Sequence, residues 1–135
     1  MLTTAQQRVF DGLLDRVVDE LPPDLRELLE EVPLIVEDEP SAALLEQMQI
    51  DPANTDLCGL HWGTPLTERS VAHGSALPDR MMLFRGPLMR VAAYRGGRSK
   101  RALSGLERQI RVTVLHEIGH HFGLDEPGLA KLGYG

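Results

Sequence analysis

A chain of 135 residues suits a single domain over residues 1–135, long enough to bury a core and too short for a second folding unit. Hydrophobic residues make up 42% and charged residues 25%, which excludes a disordered chain, and one cysteine, Cys58, excludes an internal disulfide framework. The net charge of -6 argues against nucleic acid as a partner. It hides an asymmetry: residues 1–60 carry 14 acidic and 3 basic side chains, residues 61–135 carry 6 acidic and 11 basic. The plainer explanation, attraction between the two halves across one fold, is preferred over a basic surface that selects an acidic substrate. Residues 2–10 are too polar for a signal peptide and no apolar run approaches a membrane span, so the expectation is a cytoplasmic protein with no membrane partner.

In chain order, Thr3 or Thr4 caps a first helix, whose Val9, Phe10, Leu13, Leu14, Val17, Val18 and Leu21 recur at helical spacing until Pro22-Pro23 stops it. Residues 24–31 read as a short helix with Leu25, Leu28 and Leu29 inward. Residues 33–36 (Pro-Leu-Ile-Val) read as a buried strand, and residues 41–48 as another short helix. Residues 57–62 form a candidate strand, Gly63-Thr64-Pro65 a turn, and residues 67–78 a loop. Residues 81–85 form a second apolar strand closed by Gly86-Pro87. Residues 88–94 read as a helical turn and residues 95–101 as a flexible basic loop, which lacks the interleaved aromatics of a nucleic-acid site.

The last helix has the strongest pattern. Ser104 and Glu107 match an S-x-x-E capping box; Leu106, Ile110, Val114 and Ile118 form an apolar stripe; Gly123 provides a stop. This helix carries His116-Glu117-Ile118-Gly119-His120. Histidines four residues apart lie about one turn apart on nearly one face, so both imidazoles can converge on one metal ion at about 2.0–2.1 Å. Neutral imidazole suits zinc. Glu117, rotated away from a direct bond, can hydrogen-bond a metal-bound water and act as the general base. The motif runs on to a glycine seven residues after His116 and an acidic residue at the tenth, where extended zinc motifs turn the chain and return a third ligand. Glu126 stands there, with Asp125 beside it. Spacing favours Glu126 and leaves Asp125 as the alternative.

With these residues the chain resembles the bacterial minimal zincin-like metallopeptidases, small single-domain relatives of the metzincins. The resemblance covers most of the chain. It includes Leu21-Pro22-Pro23, residues 32–40, residues 59–70 (Gly-Leu-His-Trp-Gly-Thr-Pro-Leu-Thr-Glu-Arg-Ser), residues 77–88 with Arg85-Gly86-Pro87, residues 114–126, and Leu132-Gly133-Tyr134. It implies a zincin-like α+β fold, with an N-terminal backing helix and a small mixed β-sheet packed on the HExxH helix. It also implies one zinc ion and a peptide or protein substrate. Relatives place an aspartate or similar residue at the third ligand, where this chain has Glu126. Metzincins proper add a methionine turn downstream of the motif; here no methionine follows Met89 and nine residues follow Glu126, so a reduced relative is expected.

Weaker candidates are read conservatively. Cys58 and His61 have C-x-x-H spacing, but a structural site needs four ligands and no second pair is visible, so both are taken as strand residues. If residues 59–62 are a sheet edge, an extended peptide can add to them as a strand. Tyr134 could bond an oxyanion but is assigned to packing; His121 points about 100° from its neighbour and is not counted as a ligand; His73 stands in a loop. Two functions follow: a zinc peptidase working through Glu117, or a non-catalytic zinc-binding module for a peptide or protein partner. Glu117 favours the enzyme, because a purely structural site needs no general base. No feature specifies an oligomer.

Overall fold

The computed structural model describes residues 2–62 and 80–121. The first helix, α1 (Thr4–Asp19), begins at Thr3. The Thr3 hydroxyl accepts from the Gln6 N–H at 3.1 Å and the Gln6 side chain accepts from the Thr3 N–H at 2.9 Å. This reciprocal pair satisfies two backbone donors that a helix start leaves open. The buried face of α1 is Phe10, Leu13, Leu14 and Val17. Leu21 is buried just past its end. Pro23 then opens α2 (Pro23–Glu31) at its first position, where the absent N–H costs nothing. Ser41 caps the short α3 (Ala42–Gln47) by accepting from the Leu44 N–H at 3.0 Å.

Among the described residues three strands form one mixed sheet in the order β1-β3-β2: β1 (Leu34–Glu37), β2 (Gly59–Trp62) and β3 (Arg80–Phe84). β3 runs parallel to β1 and antiparallel to β2. Its Met81, Leu83 and Phe84 are buried. Among the described residues β1 is an edge strand, and its Leu34, Ile35 and Val36 are only half-buried, which corrects the expectation of a buried strand. An apolar run of three residues does not distinguish a core strand from an edge strand. β2 is two residues shorter than expected, but Cys58 still joins the ladder by accepting from the Phe84 N–H at 2.9 Å. The expected turn at Gly63-Thr64-Pro65 and the loop over 67–78 lie outside the described residues.

Gly86 and Pro87 do not separate the strand from a helical turn that starts at Leu88. They lie in the first turn of α4 (Arg85–Val91), which follows β3 without a gap. Proline is tolerated there because the first-turn N–H groups have no intrahelical acceptor. The Gly86 N–H instead donates to Asp38 O at 2.8 Å. A side chain at Gly86 would run into the Glu39 carboxylate, so the glycine keeps this crossing close.

The long helix α5 (Lys100–His121) begins one turn before the expected Ser104. Ser99, not Ser104, accepts from a first-turn N–H, that of Ala102, at 3.1 Å. Glu107 does not cap a helix but faces Arg16 at 3.4 Å and Arg111 at 3.8 Å. The S-x-x-E match is coincidental, and the basic loop is correspondingly shorter. The stripe of Leu106, Ile110, Val114 and Ile118 is almost wholly buried. It packs with α1 on one side of α5, while β2 lies against the helix as well. The backing helix, the small mixed sheet and the motif-bearing helix thus take their expected places.

The acidic and basic halves meet in ion pairs. Arg85 reaches Asp11 at 2.9 Å and Asp38 at 3.0 Å; Arg90 reaches Glu39 at 2.8 Å and Asp56 at 2.9 Å; Arg111 reaches Glu20 at 3.3 Å. The charge asymmetry is therefore in large part an internal one. Among the described residues, no helix is long and apolar enough to cross a membrane.

Candidate metal centre

The last turns of α5 carry His116, Glu117 and His120. Helical spacing alone puts the two imidazoles together: their ring centroids are 4.4 Å apart with planes at 63°. His120 is exposed at the mouth, and its pKa is lowered by burial of its inner part and by the neighbouring His116. Both effects favour neutral imidazole, the form that binds metal.

Glu117 is the opposite case, 5% exposed. Burial lifts its carboxyl from 4.5 to about 7, against a smaller opposing effect from the His61 backbone N–H, which donates to it. Its Oε1 has no hydrogen-bond partner among the described residues. His120 Nδ1 lies 3.5 Å from that atom, without the alignment of a hydrogen bond. A buried acceptor with no donor costs about 1–3 kcal/mol, so its persistence beside two imidazoles calls for a reason in function.

These groups face a cavity of about 420 Å³ between α5 and β2, lined also by Gly59, His61 and Thr113. Cys58 lines it too, its thiol pushed up by burial and by Asp56. Cys58 and His61 are three positions apart on an extended segment, a spacing that sends side chains to opposite faces. No cluster of three His, Cys, Asp or Glu side chains that could hold a metal occurs among the described residues. The C-x-x-H pair is therefore not part of such a cluster among the described residues.

The donor set fits zinc as far as it is described. It offers two adjacent imidazoles and a buried carboxyl whose bare oxygen would meet a polar group in the cavity. Glu126, Asp125, Gly123, His73 and Tyr134 lie outside the described residues, as does the side chain of His121. Sequence reading passed over Gly59 and Thr113. The available signal was a glycine inside a strand, which often marks a close backbone approach. No curated protein matches the chain. The family model described as zincin-like metallopeptidase matches residues 29–134, nearly the whole span from α2 onward, and the chain belongs to that family.

Proposed function

We propose that this chain is a zinc-dependent peptidase, with one ion held by His116, His120 and the carboxylate of Glu126, and with Glu117 as the proton carrier. Asp125 is the alternative third ligand. When bound, zinc supplies Lewis acidity, which polarises a peptide carbonyl and brings the pKa of a water toward about 7. Glu117 takes a proton from the attacking water on its carboxylate and returns it to the leaving amine. Supporting this reading above all is the buried Glu117 carboxyl with Oε1 bare, next to paired imidazoles. A carboxyl poised near neutrality can both accept and donate a proton at physiological pH. The apo value gives way to a lower one once a dication is nearby.

The substrate is an extended peptide laid along β2. Among the described residues β2 pairs on one side only, with β3. Since Phe84 donates to Cys58, alternation turns the backbone N–H and carbonyl of Gly59 and the carbonyl of His61 away from β3, toward the outer edge, while the His61 N–H is engaged by Glu117. A peptide added there runs past the imidazoles. The test is metal content and peptide cleavage for wild type beside His116→Ala, Glu126→Ala and Glu117→Gln. About one zinc per chain, lost in His116→Ala and weakened in Glu126→Ala, supports the site. Glu117→Gln should keep zinc and lose hydrolysis. Zinc without hydrolysis in every form would favour a non-catalytic module that binds a peptide or protein partner.

A further inference from the structure

Gly59 has no left-handed backbone; among the described residues Gly96 is the glycine with positive φ. Its lack of a side chain is therefore a matter of space. A Cβ there would lie 2.9 Å from Thr113 Cγ2, 3.1 Å from Met82 O and 3.2 Å from Glu117 Cγ. The first distance is shorter than real Cβ contacts allow. Retreat is blocked on one side by the β3 backbone, to which Met82 O belongs. Two positions along the same strand, the His61 N–H donates to the Glu117 carboxylate. Pairing with β3 does not use that N–H, because His61 and Met81 form a non-hydrogen-bonded pair of the ladder.

We propose that β2 is the clamp that positions Glu117: Gly59 lets the strand seat directly on α5, and the His61 N–H then holds the carboxylate in place for proton transfer. This rests on the reading of Glu117 as proton carrier. Gly59 is thus a positioning residue. A methyl at position 59 pries β2 from α5 and draws the His61 N–H off Glu117, while the imidazoles, which belong to α5 alone, stay together. Thr113→Ser removes the methyl that an alanine at 59 would strike and keeps the hydroxyl. The pair Gly59→Ala with Thr113→Ser moves one methyl across the interface and should reseat the strand.

The experiment compares wild type, Gly59→Ala, the double variant and Thr113→Ser as its baseline. Zinc content and steady-state peptide cleavage are measured on the loaded protein, and amide exchange at His61 by NMR on the metal-free protein, with Glu117→Ala added. In Gly59→Ala, kcat falls about 10- to 100-fold with KM within about twofold and zinc retained, as expected for a small misplacement of a reacting group. The double variant recovers most of that loss. The His61 amide is protected in wild type, exchanges fast in Glu117→Ala and Gly59→Ala, and is slow again in the double variant. Equal exchange of His61 in wild type and Glu117→Ala overturns the clamp, as does an unchanged kcat in a folded Gly59→Ala. Should Gly59→Ala not fold, the double variant and Glu117→Ala decide the matter by exchange alone. A wild-type protein that cleaves no peptide yet shows Glu117-dependent protection of His61 supports the clamp and overturns the peptidase reading.

Discussion

Arg85 and Glu117 are both charged groups withdrawn from water, and they are treated in opposite ways. The Arg85 side chain is 14% exposed and paired on each nitrogen: its guanidinium makes a two-pronged contact with Asp11 at 2.9 and 3.1 Å and a third bond to Asp38 at 3.0 Å. Gln7 donates to the other Asp38 oxygen at 2.9 Å, and the guanidinium also lies 5.9 Å from the centre of the Phe10 ring. α1, the end of β1 and the start of α4 are tied together at one point. Glu117 is more deeply buried, with one main-chain donor and one bare oxygen. A charge whose neighbours saturate it stabilises the fold. A charge left unsaturated costs stability and stays available for chemistry.

The sharpest break in this contrast comes from Glu117→Gln. The amide keeps the shape and loses the proton affinity, so hydrolysis should fall about 100- to 10,000-fold in a peptide-cleavage assay with zinc content unchanged. Arg85→Met comes next and acts only on stability. It leaves Asp11 and Asp38 without their cation and should cost about 2–4 kcal/mol in urea unfolding, with zinc content retained.

A smaller effect appears in the metal-free protein as a function of pH. Burial raises the Glu117 carboxyl from 4.5 to about 7, so the folded chain holds this proton more tightly than the unfolded one. Below pH 4.5 both states are protonated. As the pH rises to 7 the unfolded chain ionises first and stability drains away, with the deficit complete above 7. Glu117→Gln removes that deficit: the variant should be more stable than wild type by about 1–3 kcal/mol at pH 8 and equal to it at pH 4. Equal stability at both pH values would mean that the carboxylate is well solvated. The smallest effect belongs to Arg111→Ala. Its pair with Glu20 is exposed on both sides, and thermal unfolding should register less than about 1 kcal/mol.

Local signals in the chain carry a good deal of this. The stripe from Leu106 to Ile118 is the buried face of α5, and Phe10, Leu13, Leu14 and Val17 form that of α1. The cap at Thr3 was one of the two threonines that the sequence offered, because a hydroxyl reaching an N–H three residues on is a local event. Errors arose where a short pattern had more than one physical meaning. Gly86-Pro87 suits both a strand end and a helix start, and the choice was made by Asp38 O accepting the Gly86 N–H across the fold. Ser104 lost its capping role to Ser99, whose hydroxyl accepts from the Ala102 N–H and so starts α5 at Lys100.

The candidate site divides along the same line. One helix periodicity suffices to bring His116 and His120 together, since four residues make roughly one turn. Sequence alone therefore determined the pairing of the imidazoles, the direction of α5's apolar face and the membership that the motif announced. Tertiary structure alone decided that Glu117 is buried, that its donor is the backbone of His61, and that a glycine 58 positions earlier makes the contact possible. The reason is physical. Periodicity acts within one element, whereas desolvation and close approach depend on which strand the sheet lays against the helix.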